Sequence, residues 1–148
     1  MSLPAPEDAG DKAYLGLATN ARTFSLYDVQ ADVLVVEVFS PYCPHCQATA
    51  PKLNDVVRRV RAAGYPREVR FLGVAIDVSD FVIQRFRNTY DLSFPVLSDP
   101  DQEFAHALEA RSIPYFFVID TESRRVLGEF DRPDELDALL MTIREAAM

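Results

Sequence analysis

Apolar runs and helical stripes alternate along this chain. Val33-Leu34-Val35-Val36-Glu37-Val38-Phe39 is apolar at every position but one. A run that does not alternate predicts a strand covered on both faces. Val69 to Ile76 and Tyr115 to Ile119 read the same way. Between the first two runs, Leu53, Val56, Val57 and Val60 recur at i, i+3, i+4 and i+7, which predicts a helix over 44–62 with Gly64 at its C-terminal stop. Pro51 falls inside that helix and predicts a kink. Phe81 to Tyr90 reads as a second helix and Phe94 to Leu97 as a short extended piece. Asp99-Pro100-Asp101-Gln102 has the order of an N-cap, a first-turn proline and a capping-box glutamine, opening a short helix through Leu108. Arg125 to Phe130 is predicted to return beside the third run as a hairpin across Thr121-Glu122-Ser123. A last helix is predicted from near Pro133, with Leu136, Leu139, Leu140 and Ile143 on one face and acids in its first turn. Residues 1–12, rich in Pro, Ala, Gly and acids, read as a flexible lead-in, and 13–148 as the folded domain. Within it, residues 14–29, ending in Phe24 to Val29, suggest a short edge strand or hairpin. The order β-α-β-α, then strand, short helix and β-β-α, predicts an α/β sheet that is parallel first and gains an antiparallel edge.

Composition narrows the function classes. The chain has 148 residues, 49% hydrophobic and 26% charged, which is ordinary for a globular domain. A net charge of −8 argues against nucleic acid and against an anionic membrane surface as partners. No apolar run reaches the roughly 18 residues that a spanning helix needs. No cleavable signal peptide is visible. Met1-Ser2-Leu3-Pro4 reads as a leader standing in place of an export signal, which leaves the compartment open.

The only two cysteines lie three residues apart, as Cys43-Pro44-His45-Cys46, just past the first apolar run and at the start of the first helix. A C-x-x-C at a strand-to-helix junction points to thiol–disulfide exchange. The first N–H groups of a helix have no internal partner and carry partial positive charge, so a thiolate there is stabilised. Exchange needs one thiolate to attack and one to resolve. Cys43, nearer the helix start, is the candidate nucleophile, and Cys46, one turn in, the resolving thiol. The plain alternative is a pair of buried structural thiols. Two cysteines are too few to scaffold a fold with disulfides. A zinc site usually needs four ligands, and the only other histidine, His106, lies far away in sequence, which argues against structural zinc. Pro44 lacks the N–H that a first-turn residue leaves unpaired. His45, if protonated, adds positive charge beside Cys43 and can hydrogen-bond its sulfur; stabilising the thiolate would make the disulfide more oxidising. Otherwise it is a surface histidine. Glu37 interrupts a buried run, so burial should raise its pKa. Either it is a proton relay for Cys46, or it points outward or forms one half of a structural ion pair. Pro114, entering the third run after Ile113, is either a strand-start residue or a cis-proline turn. His106 and the Arg58, Arg59, Arg61 group read as solvated helix faces, and Tyr115-Phe116-Phe117 as sheet core.

These residues together resemble the thioredoxin-like superfamily over roughly residues 22–147. Cys43-x-x-Cys46 matches its redox pair, Glu37 its buried acid, Pro51 its helix proline and Ile113-Pro114 its cis-proline segment. Phe24-Ser25-Leu26 and the added helix followed by Phe94-Pro95-Val96-Leu97-Ser98-Asp99 resemble the exported TlpA/ResA-like branch, whereas Pro44-His45 is the dipeptide of DsbA-type oxidants. Tyr42 stands where the family commonly has tryptophan. The resemblance implies a three-layer α/β fold, a central mixed sheet with helices on both faces. It implies a thiol–disulfide oxidoreductase, acting as a monomer, that trades electrons with protein thiols or disulfides and with a second dithiol protein that donates or accepts them. It also implies that no organic cofactor or metal is needed, that Pro114 is cis, and that Tyr42 and the Ile113 backbone meet substrate. An extracytoplasmic location, the bacterial periplasm for instance, goes with that branch. Two rival readings are a peroxiredoxin-like peroxidase, with Ser40 where that family has threonine, and a module holding Cu(I) on two soft thiolates.

Overall fold

A computed structural model describes residues 2–148. Its elements are β1 (Leu3–Pro4), α1 (Ala9–Leu15), β2 (Thr23–Phe24), a 3-10 turn (Leu26–Asp28), β3 (Val33–Phe39), α2 (Pro44–Ala63), β4 (Val69–Ile76), α3 (Asp80–Tyr90), β5 (Val96–Asp99), α4 (Glu103–Ala107), β6 (Tyr115–Asp120), β7 (Arg125–Asp131) and α5 (Asp137–Ala147). Five strands form one mixed sheet in the order β5-β4-β3-β6-β7. β4 runs parallel to β3 and β5 parallel to β4, while β6 and β7 run antiparallel to their neighbours. The C-terminal ends of β3, β4 and β5 therefore share an edge with the start of β6 and the end of β7.

β3 is central and every one of its residues is buried, as its unbroken apolar run requires. The pleat divides those side chains between two cores. Val33, Val35 and Phe39 join α2, α3 and α5 on one face. Leu34, Val36 and Val38 join the antiparallel β1–β2 pair, Leu15 of α1 and Phe104 of α4 on the other. This is the expected three-layer arrangement. α2 and α3 lie on the same face because both crossovers step the same way along the sheet with the same hand.

The ends of the elements depart from the sequence pattern in four places. Residues 3–12 are not a loose lead-in: Leu3 pairs with Phe24 and is buried. α1 is bounded by an Asp8 cap on Asp11 N and by Gly16 in the left-handed region. Its Asp11 forms a two-bond pair with Arg87 of α3 at 2.9 and 3.2 Å, and its Tyr14 hydroxyl accepts from Phe71 N. These contacts are long-range, so no local periodicity reports them. At the second departure, β5 runs through Asp99, and the helix opens only at Glu103 with Gln102 as N-cap. Asp99 still caps it, reaching over the turn to accept from Phe104 N and Ala105 N. α5 begins at Asp137, not near Pro133, because residues 132–135 are held to other elements. Lastly, α2 runs to Ala63, one residue past the predicted end, with Pro51 inside it.

Candidate active site

Past Phe39 the chain turns through Ser40-Pro41-Tyr42 into α2. Cys43 N donates to Ser40 O at 3.1 Å, Tyr42 N to Ser40 Oγ at 3.2 Å, and Gln47 Nε2 to Pro41 O at 2.9 Å. The turn delivers Cys43 as the N-cap of α2, with extended φ, ψ of −80° and 120°. Its Sγ accepts the Cys46 N–H at 3.4 Å, where a serine or aspartate oxygen would otherwise satisfy that orphan donor. Pro44 occupies the first helical position, where its missing N–H costs nothing. Both cysteines are free thiols, Cys43 part-exposed and Cys46 buried. Burial pushes the Cys46 thiol well above its usual range; a backbone hydrogen bond from Ser40 works against this, while Cys43 and Glu37 add to it. One sulfur can thus meet a partner, and the other is kept protonated beneath it.

Glu37 has Gly73 beside it on β4 and Phe116 beside it on β6. Strand alternation puts its side chain on the α2 face with Val35 and Phe39, the face that also receives Cys46. Val35, Leu53, Phe71, Leu72, Phe94 and Phe116 share its pocket. Desolvation raises its pKa to about 8, with a smaller push from the charge of Cys43. Glu37 is 5% exposed. Its carboxylate makes no salt bridge among the described residues, so the ion-pair alternative fails. A side chain at position 73 would lie 3.0 Å from Val96 Cγ2 and 3.1 Å from Phe39 Cε1. The bare backbone there lets Phe39 and Val96 close over the strand beside the acid.

The remaining sequence candidates fall around the same edge, with one correction. Val38 pairs with Tyr115, which brings Ile113-Pro114 beside the end of β3. The Ile113–Pro114 bond is cis. Ile113 is half-buried and Pro114 buried. Tyr42 is 68% exposed, the most open large side chain of the motif turn. His45, however, does not hydrogen-bond the Cys43 sulfur. Its Nε2 lies 3.1 Å from Pro133 O and 3.8 Å from Asp134 Oδ1. A carbonyl can only accept, so Nε2 carries the proton and donates. The sequence pattern gives no sign of the bond from Gln47 to Pro41 or of the contacts that the 131–135 segment makes with the motif helix. Pro133 is 88 positions from His45, and no local pattern spans that separation. His106, Arg58, Arg59 and Arg61 are exposed, and Tyr115, Phe116 and Phe117 buried, as predicted.

Among the described residues, no three His, Cys, Asp or Glu side chains gather as metal ligands. The Ser40 hydroxyl, which a peroxidase would turn toward the nucleophilic sulfur, accepts instead from Tyr42 N.

A model of the AhpC/TSA family matches residues 7–124. The chain is 22% identical to thiol-disulfide oxidoreductase ResA of Bacillus subtilis over 73% of its own length and 58% of that protein. It is 24% identical to the ResA of Oceanobacillus iheyensis over 82% of its own length and 62% of that one. The chain thus spans about three-fifths of these curated relatives. A crystal structure of a secreted Mycobacterium tuberculosis disulfide oxidoreductase, homologous to the DsbE of E. coli, superposes with a TM-score of 0.67 at 23% identity. That match covers 86% of this chain and 90% of the other. At that identity the likeness establishes the fold, which is thioredoxin-like.

Proposed function

The chain belongs to the AhpC/TSA family, and from that premise we propose that it is a thiol–disulfide oxidoreductase acting on protein cysteines. The observation that carries the reading is the pairing of a part-exposed sulfur at a helix N-cap with a buried sulfur one turn in. The Cys43 thiolate attacks one sulfur of a substrate disulfide; that S–S bond breaks, a Cys43 mixed disulfide forms, and the first substrate thiolate leaves. Cys46 then gives its proton to Glu37 and attacks the Cys43 sulfur. The second substrate thiolate departs, and the Cys43–Cys46 disulfide holds the two-electron oxidation. Run backwards, the same steps oxidise a substrate dithiol.

The order of events follows from charge. While Cys43 is a thiolate it raises both Glu37 and Cys46. Forming the mixed disulfide removes that charge. The Glu37 carboxylate then becomes available as proton acceptor at the moment Cys46 must ionise. Tyr42 and the Ile113-Pro114 edge flank Cys43 as the substrate-docking surface, with an extended segment pairing along the backbone. The chemistry needs no organic cofactor or metal; a second dithiol protein supplies or removes the electrons. The exported branch resembled by the sequence and the secreted relative of the same fold support an extracytoplasmic location. No helix among the described residues is long and apolar enough to cross a membrane.

The test is exchange between the reduced protein and a fluorescent peptide disulfide, with and without alkylation of the accessible thiol. Turnover that disappears on alkylation and in Cys43→Ser supports the reading. Turnover that survives either treatment overturns it. Hydrogen peroxide turnover and copper stoichiometry, measured in parallel, discriminate the two rivals.

A further inference from the structure

The segment Asp131–Glu135, between β7 and α5, touches both sides of the redox cleft. On one side Arg132 N donates to Pro114 O at 2.9 Å, and Ser112 Oγ donates to Asp131 Oδ1. On the other, His45 Nε2 donates to Pro133 O at 3.1 Å. Lys52 Nζ reaches Asp134 O at 2.7 Å and Glu135 Oε1 at 3.0 Å. Arg132 itself sits at a φ of 48°, a left-handed conformation that a non-glycine residue holds only where its surroundings demand it. Consecutive residues thus tie the motif helix to the strand entrance that faces it.

We propose that His45 is a positioning residue: through Pro133 and Arg132 it holds the Ile113-Pro114 edge at a set distance from Cys43, and so governs how firmly an extended substrate segment is gripped. Three features favour this over a charge acting on the sulfur. The donor nitrogen of His45 is committed to a backbone carbonyl, a bond that does not require the ring to be charged. The nearest carboxylate, Asp134, is 94% exposed, so its attraction is screened by water. The two bonds that matter, His45 to Pro133 and Arg132 to Pro114, lie on adjacent residues, so slack in one reaches the other. The functional half of the inference rests on the oxidoreductase reading; the brace itself does not.

Glutamine separates the two roles, because its Nε2 can take the place of the histidine Nε2 as a donor but never carries a proton charge. In reduced His45→Ala the Arg132 amide should exchange its hydrogen at least tenfold faster than in the wild type. KM for the peptide disulfide should rise three- to tenfold with a smaller change in kcat. His45→Gln should recover most of both losses. Lys52→Met, which leaves the motif untouched, should loosen the same segment and raise KM two- to threefold. Unchanged Arg132 exchange in His45→Ala overturns the brace. So does a His45→Gln variant that matches His45→Ala in KM and in equilibrium potential, since that pattern belongs to a charge on the sulfur. If the wild type turned over no disulfide at all, the oxidoreductase reading would fall, and the Arg132 amide would still decide the brace.

Discussion

Two strand-to-helix junctions stand side by side on one edge of the sheet, and only one of them carries a sulfur at its cap. β3 enters α2 through Ser40-Pro41-Tyr42, and β4 enters α3 through Asp77-Val78-Ser79. Both helices present unpaired N–H groups at that edge. At α2 a sulfur caps them; at α3 the Ser79 side chain makes no cap hydrogen bond. The strands behind them differ in the same way. At paired positions β3 carries Glu37 and β4 carries Gly73. A helix N-terminus is therefore only the setting. On the mechanism proposed above, reactivity at the β3–α2 junction needs the sulfur in the cap position and a titrating acid buried one layer below.

The largest way to break this contrast is to neutralise the acid. Glu37→Gln should slow resolution of the mixed disulfide by about a hundredfold and flatten its pH dependence below about pH 8, where Glu37 titrates once the Cys43 charge is gone, since general acid–base catalysis is worth about 10²-fold or more. Rapid-quench measurement of the resolving step at several pH values checks this. Unaltered rates would leave Glu37 a spectator.

The same acid has a cost in stability, and its sign is set by the raised pKa. Below pH 4.5 Glu37 is protonated folded or unfolded, and no penalty applies. As pH rises toward about 8, the unfolded chain ionises while the folded one does not, so stability is progressively lost. At ~1.4 kcal/mol per unit, the loss is on the order of a few kcal/mol by pH 9. Glu37→Leu should therefore be more stable than the wild type at pH 9 by that order, with the gap shrinking as pH falls to 4.5. Denaturant titrations at the two extremes measure it; a gap that widens toward acid would contradict the assignment.

The smallest perturbation sharpens the comparison from the other strand. Gly73→Ala adds a Cβ against Val96 and Phe39, and overpacking of that kind costs about 1–3 kcal/mol. It should lower the unfolding midpoint while Cys43 alkylation stays at the wild-type rate. A matching loss of thiol reactivity would mean that the two strands are not as separable as the contrast holds.

The sequence made the chemical half of this legible and left much of the geometry hidden. Val33 to Phe39 reads as a doubly covered strand because both its faces meet apolar layers, and Glu37 stands out against that run. The stripe of Leu53, Val56, Val57 and Val60 locates α2 because the whole face is buried on one sheet. What stayed hidden depends on contacts far apart in the chain. β1 is two residues long and exists because Phe24 lies opposite Leu3. Asp8 and Gly16 bracket α1, a capping signal that the Pro, Ala and acid content of the segment masked. The orientation of His45 depends on Pro133, so a motif dipeptide alone cannot reveal whether its ring faces the sulfur or the neighbouring loop.

Trapping the half-reaction tests the central assignment of roles most directly. Cys46→Ser, mixed with a peptide disulfide and analysed intact by mass spectrometry, should accumulate a long-lived adduct mapped to Cys43, whereas Cys43→Ser should accumulate none. A stable adduct on Cys46 in the Cys43→Ser protein, or no adduct on Cys43 in the Cys46→Ser protein, would contradict a part-exposed nucleophile backed by a buried resolving thiol.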